Sequence, residues 1–459
     1  MSRNGKPFKR MNTALIDKYD LRVPRYTSYP TAPQFHAKVT GGVYKTWLGE
    51  LSPDTDLSLY FHIPFCDEMC WFCGCYTKIV KRYDPVKDYL GALLAEIDLV
   101  ADALPARFTA RHLHWGGGSP TMLKGEDWMA IMDKLRARFD VSDAAEIAVE
   151  LDPRTTTVPY VQDLQRAGVN RASIGVQSYE PKVQEAINRI QPYETTKKVI
   201  EWLRAHDITR INMDLMYGLP FQDTDEIERM VDLTVDLQPD RIALFGYAHV
   251  PWMKSHQKLI KEETLPDAGE RWKQFTLAVE RLKQRGYVQI GFDHFAHPDD
   301  PMASAVETGE LHRNFQGYTT DTAPVMLAFG ASAIGYLPQG YVQNEQPLKA
   351  YAQSIYSGVL PSAKGIELSP DDLLRRDIIE RIMCDLSVDL DNVCANRGAD
   401  VQSLAGDLEK LAPLVEDGIC TITGSRITVS EQGRPFVRLV ASAFDAYLAA
   451  GQGRHSKAV

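Results

Sequence analysis

Four of the seven cysteines, Cys66, Cys70, Cys73 and Cys75, fall within one ten-residue window. The spacing Cys66-x3-Cys70-x2-Cys73 directly follows the strand-like run LSLYFHI, so three thiolates can reach one centre from a single loop. Three thiolates suit a [4Fe–4S] cluster in which one iron has no protein ligand. A cubane held by four cysteines mainly carries electrons, whereas an open iron can bind a further molecule through amino and carboxylate groups. The loop is therefore a candidate catalytic iron–sulfur site.

A structural zinc ion bound by all four cysteines is the alternative, because such zinc sites are common. They usually take two ligand pairs from separated turns, whereas here the four cysteines share one short loop. We therefore favour the cluster. The other three cysteines lie near the C-terminus and are expected to be small hydrophobic residues of the interior: Cys384, Cys394 and Cys420.

Strand-like and helix-like segments alternate from Leu57 onward, a pattern that predicts a parallel sheet with crossover helices. The six strand-like segments are LSLYFHI, RHLHWG, EIAVEL, RASIGV, RINMDLMYG and RIALFGYA. After the cysteine loop, Asp84 as N-cap and Pro85 at the first position predict the start of a helix. Its apolar face would be formed by Leu90, Leu93, Leu94 and Ile97.

Polar side chains occur where several of these apolar strands end. Glu150, Gln177 and Asp214 lie at or near the carboxyl ends of their segments, and Tyr247 and Ala248 end another. In α/β barrels the active site lies at that rim. A single such residue can be merely a strand-end hydrogen bonder, but all of them together indicate a functional rim.

The bulk composition excludes some classes of partner. The formal net charge of −10 argues against broad binding to nucleic acid, which needs a basic face. No apolar run approaches the roughly 20 residues that span a bilayer. The first residues lack the apolar segment and cleavage site of a secretory signal. We expect no nucleic-acid partner, no membrane span and a cytoplasmic location.

The 459 residues are predicted to form three parts. An arm over residues 1–55, which contains PRYTSYPTA, has little periodicity and should be extended. A barrel domain and its extension would occupy residues 56–364. A small, mainly helical C-terminal domain would occupy residues 365–459, with a hairpin in CTITGSRITVSEQG and a frayed end.

Several segments together resemble a known family. The motif CDEMCWFCGC is similar to the radical S-adenosylmethionine signature, and its fourth cysteine, Cys75, is typical of the oxygen-independent coproporphyrinogen III oxidases. The resemblance continues in PRYTSYPTA, LHWGGGSPT, GVQSYEPKVQEAINRIQPYE, INMDLMYGLP, GFDHFA and NFQGYTT. It implies a partial TIM-type (β/α)6 barrel with an N-terminal arm and a small, mainly helical C-terminal domain.

The resemblance also implies which residues bind the cofactors. Cys66, Cys70 and Cys73 would bind the cluster, and Cys75 would be a nearby thiol without iron. Two S-adenosylmethionine sites are expected. The residues implied for the molecule on the open iron are Tyr60, Gly117, Glu150 and Ile334. Those implied for the second are Phe72, Gly118, Ser119, Gln177, Arg189, Asp214 and Ala248, with Ser119 where the family has Thr.

Plainer interpretations exist for single features of this set. The glycines of GGGSPT would let backbone amides and a ligand approach closely, but a tight turn without a ligand has the same composition. Phe72 can stack on an adenine or simply pack the loop. His62, His114 and His249 are interpreted as hydrogen-bonded core residues.

The implied reaction is the oxidative decarboxylation of two propionate side chains of coproporphyrinogen III to vinyl groups, giving protoporphyrinogen IX. The β C–H bond of a propionate is unactivated, so no side-chain base could remove that hydrogen, whereas a 5′-deoxyadenosyl radical could. The implied partners are coproporphyrinogen III and an electron donor such as a flavodoxin or a ferredoxin. We expect the chain to be a monomer.

The arm contains candidate substrate-binding residues, Arg22 and Arg25. Guanidinium groups can pair with carboxylates, and the aromatic rings of Tyr26 and Tyr29 can cover a macrocycle. We therefore hypothesise that the arm closes over the substrate as a lid. The alternative is that it merely packs against the barrel.

Two other functions use the same scaffold. A haem-binding chaperone would lack the fourth cysteine and the PRYTSYPTA arm, and would differ at NFQGYTT, whereas this sequence contains all three. An enzyme that opens or modifies haem by radical chemistry shares more of the motifs and stays an alternative.

Overall fold

The computed structural model describes Leu15, Lys18, Tyr19 and residues 21–448. The predicted frayed end, residues 451–459, lies outside this range, and so do the first fourteen residues, for which the sequence predicted no secretory signal. In the described part, no helix combines the length and the apolar composition that crossing a membrane requires.

All six predicted strands form, and they lie side by side in chain order. Each is parallel to its neighbour, because a helical crossover separates every consecutive pair. The strands are Leu57–Ile63, Thr109–Gly117, Asp140–Leu151, Arg171–Gln177, Arg210–Tyr217 and Arg241–Gly246. Their carboxyl ends therefore lie at one edge of the sheet, where the polar residues were predicted to meet.

The crossover helices are Asp84–Ala103, Gly125–Arg138, Val158–Ala167, Pro181–Ala186, Tyr193–Ala205 and Thr224–Asp236. The first of them has Pro85 in its first turn and buries Leu90, Leu93 and Ile97, as predicted. Its N-cap is Tyr83 rather than Asp84. The carboxylate of Asp84 lies instead in the first turn, where it interacts favourably with the helix dipole.

The sheet continues beyond these six strands at both edges. Val325–Phe329 adds in parallel to the first strand. Antiparallel strands then extend the two edges, and they are Ile334–Leu337, Gly340–Asn344 and Ser362–Glu367 on one side and His294–Ala296 and Val288–Ile290 on the other. The result is a mixed, twelve-stranded sheet, which confirms the α/β class.

Aromatic packing ties neighbouring strands together in the core. Phe61 stacks on Trp115 at 4.7 Å and on Phe329 at 5.0 Å between ring centroids, so three adjacent strands share one row of rings. All three side chains are fully buried, and burial of each aromatic side chain stabilises the fold by roughly 2–3 kcal/mol. This row fixes the strand that precedes the cysteine loop.

Further elements connect the extension and the arm. The helices are Gly41–Gly49, Ala268–Gln284, Pro301–Thr308 and Leu348–Tyr356. A small hairpin is formed by His312–Asn314 and Gly317–Thr319. Short 3-10 turns occur at Ala32–Gln34, Pro120–Met122, Ser255–Leu259, Glu262–Thr264, Val401–Leu404 and Arg434–Phe436.

The C-terminal part is mainly helical, as predicted. Its helices are Pro370–Asp385, Leu390–Arg397, Ala405–Glu409, Ala412–Glu416 and Val437–Ser442. Cys420–Thr423 and Arg426–Val429 form the predicted hairpin, and Ser387–Asp389 joins it as a third strand. The three C-terminal cysteines are buried among apolar side chains, which confirms their predicted role.

The described part of the arm packs against the end of the chain. The hydroxyl of Tyr26 donates to Asp445 Oδ2 at 2.9 Å. The amide of Ala446 donates to Tyr29 Oη at 3.0 Å. Both tyrosine side chains are buried, so this part of the arm is held in place by the C-terminal segment. Closure of the arm over a substrate stays a prediction.

Candidate active site

The cysteine loop is closed at its base by two short parallel strands. Phe65–Cys66 pairs with Lys78–Ile79, so residues 67–77 project as a loop beyond the carboxyl end of the first strand. Within the loop, the amide of Cys73 donates to the carbonyl oxygen of Cys70 at 3.1 Å. The three predicted cluster ligands therefore lie on one short, folded loop at the rim of the sheet.

Two distant segments of the chain hold this loop in place. The side-chain amide of Asn188 donates to the carbonyl oxygen of Met69 at 2.9 Å. The side-chain amide of Gln257 donates to the carbonyl oxygen of Phe72, also at 2.9 Å. Because side chains from two distant segments hydrogen-bond to its backbone, the loop is preorganised for a ligand.

Two guanidinium groups contact the sulfur of Cys70. Arg154 Nη2 and Arg189 Nη1 each lie 3.5 Å from Cys70 Sγ. Asp152 Oδ2 orients both arginines, at 2.6 Å from Arg154 and 3.4 Å from Arg189. Positive charge beside a thiol stabilises the thiolate, which is the form that binds iron. Arg189 therefore lies against a cluster ligand.

Hydrogen-bond donors also face the other two predicted ligands. The hydroxyl of Thr77 donates to Cys66 Sγ at 3.2 Å, and the amide of Cys75 donates to Cys73 Sγ at 3.4 Å. Burial raises the pKa of the Cys66 thiol to about 12. This sulfur is therefore a thiol at neutral pH until a metal replaces its proton.

This donor set fits a [4Fe–4S] cluster. Each of the three sulfurs has an N–H or O–H donor within reach, and such hydrogen bonds tune iron–sulfur clusters. Among the residues that the structure describes, no three His, Cys, Asp or Glu side chains are placed to hold one shared metal ion. A cubane does not need that arrangement, because each cysteine binds a different iron.

A cavity of about 640 Å³ lies beside the loop, which contributes Cys75 and Tyr76 to its wall. All four residues predicted for the first S-adenosylmethionine line this cavity: Tyr60, Gly117, Glu150 and Ile334. Its volume is within the range of small-molecule sites. The structure thus brings together residues that are up to 274 positions apart in the sequence.

Glu150 is the best positioned acceptor in this cavity. Its Oε2 accepts from the amide of Gly117, and its Oε1 lies 3.2 Å from His114 Nε2. A Cβ atom at Gly116 would lie 2.5 Å from Glu150 Oε1, so only glycine leaves room for this carboxylate. The side chain of Glu150 is 40% exposed, so it can still accept hydrogen bonds from a ligand.

Asp214 lines the same cavity from the middle of its strand, between Gly175 and Ala243 on the neighbouring strands. Burial, followed by the negative charge of Glu150, raises the pKa of Asp214 to about 7. A carboxyl group that stays neutral up to this pH can donate a hydrogen bond as well as accept one.

Two backbone amides of the glycine-rich segment, those of Gly118 and Ser119, bind the strand and the base of the cysteine loop. The amide of Gly118 donates to a carbonyl oxygen of the first strand at 2.8 Å, and the amide of Ser119 donates to Phe65 O at 2.7 Å. A Cβ at Gly118 would lie 2.6 Å from Phe65 O. The base of the cysteine loop therefore uses the amides of Gly118 and Ser119, and the contact of these two residues with a ligand stays a prediction.

The seven residues predicted for the second S-adenosylmethionine do not surround one cavity. Asp214 lines the first cavity, whereas Ala248 lines a neighbouring cavity of about 270 Å³ that shares Phe245 with it. Phe72 packs against an apolar cluster that includes Tyr247. Five of the predicted residues border neither cavity: Phe72, Gly118, Ser119, Gln177 and Arg189.

Sequence reasoning missed several residues that line the first cavity. His114 was interpreted as a core histidine, yet it borders the cavity with His112. The alternation of these two histidines along one strand was the available signal, because residues i and i+2 share a face. Phe315 and Gln316, at the tip of the hairpin in NFQGYTT, also line the cavity. His62 is buried and hydrogen-bonded, as predicted, but it also lines this cavity.

A parallel α/β sheet with a three-cysteine loop after its first strand defines a class, the radical S-adenosylmethionine superfamily, and the family model described by that name matches residues 60–234. A second model, the HemN C-terminal domain, matches residues 368–436. The chain belongs to the oxygen-independent coproporphyrinogen III oxidase family. A protein of that name from Bradyrhizobium diazoefficiens is 51% identical over 438 residues, covering 95% of this chain and 97% of its own.

Other relatives agree with this assignment. A protein of the same name from Synechocystis sp. is 39% identical over 449 residues, which is 96% of each chain. The solved structure of coproporphyrinogen III oxidase (HemN) from Escherichia coli, described as a radical SAM enzyme, has a TM-score of 0.90. It is 36% identical and covers 95% of this chain and 99% of its own. The family confirms the predicted [4Fe–4S] cluster and S-adenosylmethionine, and the zinc alternative is wrong.

Proposed function

We infer that this chain catalyses the anaerobic oxidative decarboxylation of two propionate side chains of coproporphyrinogen III to vinyl groups, giving protoporphyrinogen IX in haem biosynthesis. The observation that carries this inference is 51% identity to an enzyme of that name over 95% of the chain. The loop with its three cysteines and the cavity beside it provide the matching site.

When bound and reduced, the cluster and S-adenosylmethionine supply a 5′-deoxyadenosyl radical that can remove hydrogen from an unactivated carbon. Cys66, Cys70 and Cys73 would hold the cluster, and Arg154 and Arg189 would stabilise the thiolate of Cys70. For each propionate, the overall reaction would release CO2, with loss of one hydrogen atom to the radical and of one electron to an acceptor.

Residues of the first cavity would orient the S-adenosylmethionine on the open iron. The carboxylate of Glu150 would accept hydrogen bonds from its ammonium or ribose hydroxyl groups. Tyr60 would form part of the wall beside it, where it stacks on His114 at 5.9 Å between ring centroids. Gly117 and Ile334 would complete the enclosure.

We also propose the second S-adenosylmethionine site. Asp214 lines one cavity and Ala248 lines the other, and Phe245 borders both, so a ligand at this shared wall could reach both residues. The remaining members of the proposed site are Phe72, Gly118, Ser119, Gln177 and Arg189. For all five residues the support is the family resemblance, and for all except Gln177 it is also their place in or against the cysteine loop.

The finer organisation follows the same resemblance. We propose that the six parallel strands form a partial (β/α)6 barrel. We propose the arm over residues 1–55, the barrel domain and its extension over 56–364, and the C-terminal domain over 365–459. The packing of Tyr26 and Tyr29 against residues 445–446 supports an arm that contacts the C-terminal domain.

We further propose an electron donor such as a flavodoxin or a ferredoxin, a monomeric enzyme and a cytoplasmic location. A donor is required because cleavage of S-adenosylmethionine consumes one electron from the reduced cluster.

The experiment is an anaerobic assay with the reconstituted full chain, a chemical reductant, S-adenosylmethionine and coproporphyrinogen III. Mass spectrometry should show the loss of two CO2 molecules and four hydrogens in total from the substrate. The Cys66→Ser variant is the control and should leave the substrate intact. Unchanged coproporphyrinogen beside cleaved S-adenosylmethionine, or consumption of added haem instead, would overturn the proposal in favour of the alternative functions.

A further inference from the structure

The smaller cavity, of about 270 Å³, is unusually rich in positive charge. Four arginines line it: Arg22, Arg25, Arg271 and Arg438. Two carboxylates line it as well, and both already have partners. Asp267 Oδ1 accepts from the amide of Glu270 at 2.8 Å, and Asp293 Oδ1 lies 2.7 Å from His294 Nδ1. The lining therefore has a surplus of cations.

The guanidinium group of Arg271 packs against two glycines, Gly218 and Gly246, at the carboxyl ends of adjacent strands. A Cβ atom at Gly218 would lie 2.3 Å from Arg271 Nη1, and one at Gly246 would lie 3.2 Å from Arg271 Nη2. The guanidinium also lies 5.5 Å from the ring centroid of Tyr217. Because the two glycines have no side chains, there is room for the planar guanidinium group of Arg271 at this position. A guanidinium group can bind a carboxylate through two parallel hydrogen bonds.

The positively charged side chains of Arg438 and Arg25 line the same cavity and repel each other. Arg438 is 6% exposed, and its Cζ lies 5.8 Å from the ring centroid of Phe292. Burial, followed by the charge of Arg25, lowers the pKa of Arg438 to about 10. Burial also lowers the pKa of Arg25, whose side chain is still accessible from the cavity. Holding such cations together is costly unless an anion joins them.

The position and the size of this cavity indicate which kind of anionic ligand could occupy it. It lies at the carboxyl ends of the strands Arg210–Tyr217 and Arg241–Gly246 and shares Phe245 with the larger cavity. Its volume is below the roughly 300–1,000 Å³ of pockets that enclose a whole small molecule. It therefore suits the side arms of a ligand whose body lies elsewhere.

We propose that this cavity binds the carboxylates of the propionates that the substrate retains, with Arg25 and Arg271 as the main partners and Arg438 behind them. The proposal rests on the proposed function. Coproporphyrinogen III has four propionates and loses the carboxylates of two. An enzyme that anchors the retained pair beside Phe245 would leave a reacting propionate free to enter the larger cavity, which the cysteine loop borders.

The carboxylate of a second S-adenosylmethionine is the other source of the same chemistry, because Ala248 also lines this cavity. The two sources make different predictions for porphyrin binding. Only a propionate site affects the affinity for a porphyrin when no S-adenosylmethionine is present.

The test is porphyrin binding to the full chain, measured by fluorescence titration. The probes are coproporphyrin III, an air-stable stand-in that keeps all four propionates, and protoporphyrin IX, which has only the retained pair. The variants Arg25→Gln and Arg271→Gln should each bind both porphyrins at least about tenfold more weakly, the loss expected for one charged hydrogen bond. Arg271→Lys should recover part of this loss, because it keeps the charge but not the fork.

The matched control is Arg166→Gln. Arg166 is 67% exposed in the last turn of the helix Val158–Ala167, away from both cavities, and the substitution changes the net charge equally. It should leave both affinities unchanged. Circular dichroism verifies the fold, and Arg25→Gln tests the proposal on an accessible arm residue if Arg271→Gln is unstable.

Three results would overturn the assignment. Unchanged binding of both porphyrins in the Arg25 and Arg271 variants would remove the cavity from substrate binding. Weaker binding of coproporphyrin III alone would place reacting propionates there instead. Unchanged porphyrin binding with weaker S-adenosylmethionine binding to the cluster-loaded protein would assign the arginines to the cofactor. Failure of the wild-type chain to bind either porphyrin would contradict the proposed function itself.

Discussion

Replacing Asp214 by Asn should change how the stability of the protein depends on pH. Burial raises the pKa of Asp214 to about 7 in the folded chain, from an ordinary value of 3.8. The cavity wall therefore favours the neutral carboxyl group over the carboxylate until the pH reaches about 7. Asn has nearly the same shape and cannot ionise, so it isolates the cost of the charge.

The sign follows from linkage. A raised folded pKa means that the stabilising contribution is complete below pH 3.8 and is lost as the pH rises through about 7. The difference of about three pKa units corresponds to about 4 kcal/mol at high pH. Because Asp214 borders a cavity, solvent reduces this cost, and we expect about 2–4 kcal/mol. Between pH 5 and pH 8, the free energy of unfolding of the Asn variant should rise by about 1–3 kcal/mol relative to that of the wild type.

The assay is urea unfolding of the cluster-free protein at pH 5, 6, 7 and 8, for the wild type and for Asp214→Asn. The control is Asp143→Asn, because Asp143 is exposed on the strand Asp140–Leu151. The free energy of unfolding of that control should change with pH in the same way as that of the wild type, from pH 5 to pH 8. If Asp214→Asn is also parallel to the wild type, Asp214 is already ionised in the folded protein, and the argument from burial is refuted.

Three further predictions concern the cluster, the cofactor and the core. Replacing any one predicted ligand, Cys66, Cys70 or Cys73, by Ser should abolish the cluster after anaerobic reconstitution, whereas Cys75→Ser should keep about four irons per chain by iron assay. Loss of iron in Cys75→Ser would show that the ligand assignment is wrong. Glu150→Gln should keep the cluster but bind S-adenosylmethionine about tenfold more weakly by anaerobic calorimetry, and unchanged affinity would leave Glu150 as a strand-end hydrogen bonder. Glu96 is buried and accepts three hydrogen bonds of 2.6 Å. In Glu96→Gln, the new side-chain NH2 group would face one of these hydrogen-bond donors. This substitution should therefore lower the free energy of unfolding by about 1–3 kcal/mol. An unchanged urea midpoint would contradict that reasoning.

Much of the architecture could be predicted because it depends on local patterns. Each of the six core strands is a short apolar run between helical segments, and such runs form neighbouring parallel strands in chain order. The spacing of Cys66, Cys70 and Cys73 indicates its chemistry in the same local way. The hairpin Cys420–Thr423 and Arg426–Val429 follows from alternation around a Gly-Ser turn. The antiparallel strands at both edges of the sheet were not predicted, because strands of three to six residues have weak patterns.

The candidate site could be predicted only in part. Glu150 and Asp214 were predicted from their position at or near strand ends, and both line the cavity, although Asp214 lies in the middle of its strand. Strand position could not show that Arg189 contacts the sulfur of Cys70, because those two residues are 119 positions apart and lie on different loops. It also could not show that the amides of Gly118 and Ser119 are used by the base of the cysteine loop.

The arginine cavity shows why tertiary structure was needed. Arg25 lies in the arm, Arg271 in a helix after the sixth core strand, and Arg438 near the end of the chain. The sequence alone determined the charge and the reach of each side chain, and the local elements that contain them. Their meeting depends on how the arm and the C-terminal segment pack on the rim of the sheet. That packing is decided by contacts between distant residues, since burial and hydrogen bonding act through space and leave no periodic signal along the chain.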